Sequence, residues 1–131
     1  MRVVSALISL AALLIPFAAN AEEPLGALYF SQNMPVSGTQ SIFAAGSNVR
    51  GATIRTASAW VTANAVITLY ANYPDGTQRM IFAAMASPNQ NSASNLSNAL
   101  RLPAGVGLSA VSAYGTSSLG AGVVGVTYDL Y

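Results

Sequence analysis

Beyond residue 21, hydrophobic and polar side chains alternate with a period of two along most of the chain, the spacing that sends successive residues to opposite faces of a β-sheet. Val124, Val126, Tyr128 and Leu130 form one face of a C-terminal strand, and Val123, Gly125, Thr127, Asp129 and Tyr131 form the other. The first set reads as the core face. From Ala65 to Tyr73 both sets carry bulk, with Ala65, Ile67, Leu69, Ala71 and Tyr73 against Val66, Thr68, Tyr70 and Asn72, which predicts a central strand. It runs into Pro74-Asp75-Gly76-Thr77, where proline presets φ at the turn entry and glycine accepts a positive φ at its exit, so Gln78–Met85 is predicted to return as a hairpin.

Further strands are predicted at Ala27–Ser31, Gln40–Ala45, Arg50–Val61, Asn98–Pro103, Val106–Tyr114 and Ala121–Tyr131. The turn signals between them are Pro35-Val36-Ser37-Gly38, Gly46-Ser47-Asn48, Pro88-Asn89-Gln90-Asn91 and Gly115–Gly120. About eight short strands at this spacing predict an all-β, single antiparallel β-sandwich or a barrel. The one helical candidate is Ser92–Leu100, where Ser92 would cap and Ala93, Leu96 and Leu100 would share a face; Ser87–Ser97 otherwise reads as a long Ser/Asn-rich loop.

The first 21 residues break the alternation. Met1 and Arg2 precede an apolar run from Val3 to Phe17, and Ala19-Asn20-Ala21 supplies a small-x-small site before Glu22-Glu23-Pro24. This is the pattern of a cleaved secretory signal peptide. A retained anchor fits less well, because Ser5, Ser9 and Pro16 interrupt a run already short of the ~20 apolar residues a span needs. The domains are therefore 1–21, signal peptide, and 22–131, β-sandwich, exported to the periplasm, the cell surface or the medium.

Composition narrows the chemistry. Of 131 residues 53% are hydrophobic and only 7% charged, and the chain contains no His, no Cys and no Lys. A soluble domain ordinarily has about 25% charged residues. Arg50, Arg55, Arg79 and Arg101 balance Glu22, Glu23, Asp75 and Asp129 beyond the signal peptide, so no basic patch exists to displace counterions and no nucleic-acid partner is expected. Without disulfides, the fold rests on an apolar core or on partner subunits.

Without histidine, cysteine or lysine there is no Ser-His-acid triad, no Cys-His pair, no imidazole metal site and no Schiff base. The chain is expected to be no enzyme and to carry no cofactor and no metal. A carboxylate pair would need Asp75 and Asp129 to converge across a cleft, yet Asp in Pro-Asp-Gly is ordinarily a turn residue. Gly120-Ala121-Gly122-Val123-Val124-Gly125 matches a dinucleotide-binding pattern, but only six residues follow it and no helix and second strand fit there. Its glycines read as allowances for a tight hairpin and close sheet contact. Asn95-Leu96-Ser97 has the glycosylation pattern, a weak signal.

The candidate binding or interface residues are Arg50, Arg55, Trp60, Tyr70 and Tyr114. Strand aromatics can stack on a sugar or anchor a partner, although core and sheet-edge packing is the reading favoured. Arg50 and Arg55 are five apart and so point to opposite faces of an alternating strand. One could be interior or at a subunit contact, with Asp129 as counter-charge, but a lone surface arginine is the plainer expectation.

Two segments, Asn48-Val49-Arg50-Gly51-Ala52-Thr53-Ile54-Arg55-Thr56 and Leu102-Pro103-Ala104-Gly105-Val106-Gly107-Leu108, resemble parts of small jelly-roll proteins of phage particles and phage-derived bacterial regions. The resemblance covers about a fifth of residues 22–131 and includes no catalytic motif. It implies an eight-stranded jelly-roll sandwich used as a particle or surface component, while the signal peptide departs from that pattern. The sequence thus points to a non-catalytic exported protein that self-associates or binds a protein partner. A small carbohydrate- or ligand-binding module stands second. Third is an outer-membrane β-barrel, the one case with a membrane partner; Tyr131 is out of step with the apolar face such a barrel would need.

Overall fold

The computed structural model describes residues 24–115 and 120–131. The signal peptide expected at 1–21, with Glu22 and Glu23, lies outside the described residues, as do positions 116–119 of the expected Gly115–Gly120 turn. Nine strands follow in chain order: β1 (Leu28–Met34), β2 (Gly38–Phe43), β3 (Ala52–Val61), β4 (Val66–Asn72), β5 (Gln78–Met85), β6 (Ser92–Asn95), β7 (Leu100–Leu102), β8 (Gly107–Ala113) and β9 (Gly122–Leu130). A single 3₁₀ turn, Ala45–Ser47, separates β2 from β3.

The pairings are those of one long hairpin folded over on itself. Its tip is the Pro74–Thr77 turn between β4 and β5, and moving away from the tip β3 pairs with β6 and β7, β2 with β8, and β1 with β9, all antiparallel. Wrapping the doubled ribbon closes two further ladders, β3 with β9 and β4 with β8. The result is a five-stranded sheet, β1-β9-β3-β6 with β7 also on β3, facing a four-stranded sheet, β2-β8-β4-β5. This is the jelly-roll sandwich. The sandwich is found and not the barrel alternative: the strands divide into two sheets packed on a shared core, with β1 and β6–β7 as the edges of one and β2 and β5 as the edges of the other.

The sixth of the expected eight strands, Asn98–Pro103, is found as β7, and a strand not expected, β6, precedes it. Residues 92–95 pair with Ser58–Val61 and residues 100–102 with Ala52–Ile54, so β6 and β7 occupy consecutive stretches of the same edge of β3. The helical turn considered for Ser92–Leu100, and the loop reading of Ser87–Ser97, are corrected for Ser92–Asn95. The open backbone of β3 recruits a polar segment of weak intrinsic preference, and Leu96 N–H extends the contact to the Ala57 carbonyl at 2.8 Å.

Alternation places the core as expected at the C-terminus: Val124, Val126 and Tyr128 are buried. Opposite them Ile67, Leu69 and Ala71 of β4 and Leu108 and Ala110 of β8 are buried as well. The Tyr128 ring meets Phe43 of the other sheet at 5.0 Å between centroids, fastening the two layers. In β3, buried Ile54 and buried Val61 are seven apart, an odd number that strict alternation cannot put on one face. A bulge between Ile54 and Thr56 absorbs the slip, and it turns Arg55 and Thr56 outward in succession.

Gly120 and Gly122 explain the glycine-rich run. Both have positive φ, 77° and 136°. A Cβ on Gly122 would collide with the Trp60 carbonyl, and one on Gly120 with that of Met34. The run brings the chain into β9 at close quarters and leads into a strand.

Candidate functional site

With the core enclosed, the chemistry available to other molecules lies on the two outer faces and at the ends of the sandwich. On the five-stranded sheet the register sets out successive rows. Ala93, Trp60, Val123 and Asn33 share one row; Asn95, Ser58, Gly125 and Ser31 the next; Thr56, Thr127 and Tyr29 a third; and Arg101, Thr53 and Asp129 a fourth. Polar contacts tie the last two rows together, with Arg101 and Tyr29 exposed at their ends. The Thr56 and Thr127 hydroxyls lie 2.7 Å apart, Tyr131 Oη donates to Thr53 Oγ1 at 3.2 Å, and Arg55 Nε donates to Asp129 Oδ2 at 2.7 Å.

Asp129 also accepts from the Ala27 backbone N–H at 2.7 Å. That hydrogen bond first, and Arg55 second, hold its carboxyl below the ordinary value of 3.8. Asp75 is lowered too, by the Thr77 hydroxyl and then the Thr77 N–H, which close the expected turn at 2.6 and 2.9 Å. The two aspartates belong to opposite sheets, Asp129 in β9 and Asp75 at the β4–β5 tip, each held by its own partners. The convergence considered from sequence does not occur.

The outer face of the four-stranded sheet differs in kind. Its rows are Met85, Val66 and Ala113; Ala83, Thr68, Val111 and Thr39; Met80, Tyr70, Ser109 and Ser41; and Gln78, Asn72 and Gly107. No acid or base stands in any of them. Met80 and Met85 are 61% and 65% exposed at the β5 edge. Arg79 falls on the inward register of β5, opposite Ala71, and its guanidinium covers the Tyr73 ring at 4.7 Å.

The five sequence candidates therefore do not converge. Arg55 and Trp60 share the outer face of the five-stranded sheet, and Arg55 is ion-paired, correcting the lone-arginine expectation in favour of the Asp129 counter-charge. Arg50 is exposed ahead of β3, its backbone N–H donating to the Tyr131 carbonyl at 3.0 Å. Tyr70 lies half-buried in the middle of the uncharged face. Tyr114 follows β8, 75% exposed, with a φ of 62° that a bulky side chain rarely adopts.

Comparison with known proteins finds similarity among solved structures. No protein-family model and no curated protein matches the chain. The structure of infectious bursal disease virus, Gx strain, is similar over 81% of this chain at 15% identity, with a TM-score of 0.30. The chain spans 30% of the length of that viral chain.

One residue escaped the sequence reading. Asn48 is buried, and its Nδ2 donates to the carbonyls of Pro103 at 2.7 Å and Val106 at 2.8 Å, while its backbone carbonyl accepts from the Gly105 N–H at 2.7 Å. It ties together the two segments that carry the jelly-roll resemblance. Its Gly-Ser-Asn setting signalled only a turn; the second half of the contact is more than fifty residues away.

Proposed function

We propose that this protein is an exported, non-catalytic subunit that assembles with copies of itself into a surface, envelope or particle structure. The observation that carries the reading is the outer face of the four-stranded sheet, apolar at Val66, Tyr70, Met80, Ala83, Met85 and Val111 and without an acid or base in any row. An exposed face of this kind gains by burial, and it carries no charge to repel a second copy.

The size of the face sets the strength of the contact. Four strands ~4.8 Å apart and about seven residues long cover ~440 Å², roughly half of the ~800 Å² that each partner gives to a standard interface. Pairing through this face alone is weak. Copies held by several contacts, including the open edges β1, β2 and β5, would form a stable array. Export through the N-terminal segment, with cleavage after Ala21, supplies the location, and the absence of histidine, cysteine and lysine supports a role in contact and shape.

A single-cysteine cross-linking map tests this, since the native chain has no cysteine. With a flexible bismaleimide, Met80→Cys is expected to give covalent dimers and Ser58→Cys, on the other outer face, to give few. Equal yields, or none from Met80→Cys, would overturn the assignment.

A further inference from the structure

The first two rows of the five-stranded face, that of Trp60 and that of Ser58, are unlike the last two, those of Thr56 and Asp129. Asn33, Asn95, Ser31 and Ser58 are exposed around the indole, and none of their side chains hydrogen-bonds another described residue. Gly125 stands between Ser58 and Ser31, so the middle of this patch has no side chain and forms a shallow trough. Trp60 and Val123 wall one end, and Tyr29, 70% exposed, stands at the other. From β3 to β1 the trough is ~10 Å wide, and Trp60 and Tyr29 are ~13 Å apart along the strands.

The leftover chemistry selects the occupant. A nucleic acid needs free cations, and the nearest one, Arg55, is already held by Asp129 at 2.7 Å. A peptide adding as a strand would pair at the open edge of β1, beside the trough and not in it, since β3 and β9 along its floor are each paired on both sides. What remains is a flat aromatic surface rimmed by uncharged amides and hydroxyls, which can both donate and accept. We propose that this trough binds a neutral oligosaccharide, one ring stacked on Trp60 and its hydroxyls bonded to Asn33, Asn95, Ser31 and Ser58. No charged side chain stands in either trough row, which matches a neutral glycan and disfavours a uronic-acid or sialylated one. This site is on the opposite face from the proposed assembly contact, so one copy can do both, and an array would multiply a weak single-site affinity.

The chain contains one tryptophan, so its fluorescence reports this site alone. The test titrates purified protein with cellohexaose, maltohexaose, mannohexaose and chitohexaose, and with a polygalacturonate oligomer as the acidic counterpart. A saturable emission shift from at least one neutral sugar is expected. In affinity electrophoresis through the matching polysaccharide, Trp60→Ala and Gly125→Leu should each weaken binding at least tenfold. The second keeps the indole but fills the trough, and the backbone accepts it, because a Cβ there meets only Ser58 Oγ at 3.4 Å. Circular dichroism verifies folding of both. Repeating the titration on Met80→Glu separates glycan binding from assembly. No shift with any neutral sugar, a response to the acidic oligomer alone, or undiminished binding by folded Trp60→Ala would each overturn the proposal.

Discussion

The two outer faces of this sandwich enclose one core, yet they treat water differently. The five-stranded face has an ion pair, a threonine pair and a Tyr131–Thr53 hydrogen bond, all made between neighbouring strands. The four-stranded face has methionines, valines, alanines and a half-buried tyrosine beside a Gln78–Asn72–Ser109 hydrogen-bond chain, with no acid or base in its rows. The first face carries charges that it pairs within itself; the second has none, and its exposed Met80 and Met85 gain by burial. On the proposed reading, this difference in charge and exposed apolar area distinguishes the assembly surface from the ligand-binding one.

The largest effect comes from breaking the core that both faces share. Val126→Asp puts an unpaired charge at a fully buried position and should cost more than ~4 kcal/mol, so that the protein fails to accumulate or shows no cooperative melting transition. Normal melting would refute the assigned phase of β9 and, with it, both outer faces. Next is a charge pair on one face only. Met80→Glu combined with Met85→Glu should weaken self-association at least tenfold in sedimentation equilibrium with the melting temperature nearly unchanged, and Ser58→Glu should leave self-association as it was.

Acid should separate the faces in a third way. Asp129 has a folded-state value below 3.8, so the stability it contributes is present above that pH and lost as the pH falls through the lower folded value. Asp129→Asn should therefore reduce the acid limb of the melting profile below about pH 4, leaving the share of Asp75, lowered likewise in the β4–β5 turn, while the rows of the four-stranded face, which hold no acid, add nothing to it. With neither histidine nor cysteine in the chain, stability should be level from about pH 5 to 8. The smallest effect is at Tyr114, where replacement by glycine removes the side chain from a left-handed backbone and should stabilise by ~1 kcal/mol, read as a few degrees of melting temperature.

Much of the architecture was legible because alternation is a local property. The core face of β9, the central position of β4 and the Pro74–Thr77 hairpin follow from residues adjacent in sequence, and that hairpin proves to be the tip from which the whole jelly roll is paired. What escaped depends on distant partners. Ser92–Asn95 has no strong preference and becomes a strand because β3 offers it an edge. The outward turn of both Arg55 and Thr56 needs a bulge, whose only local trace is the odd spacing of Ile54 and Val61. The division of candidates between two faces could not be read without the strand order. Charge alone could name Asp129 as a counter-charge to Arg50 or Arg55 but left a lone arginine the plainer expectation; the pairing with Arg55 rests on the β3–β9 ladder, 74 residues apart in sequence.

Self-association through the uncharged face is tested most directly by light scattering of the purified protein over a concentration series from micromolar to millimolar. The account predicts a weight-average mass that rises continuously with concentration, and a return to the monomer mass in Met80→Glu/Met85→Glu. A wild-type chain that keeps the monomer mass throughout the series would contradict it.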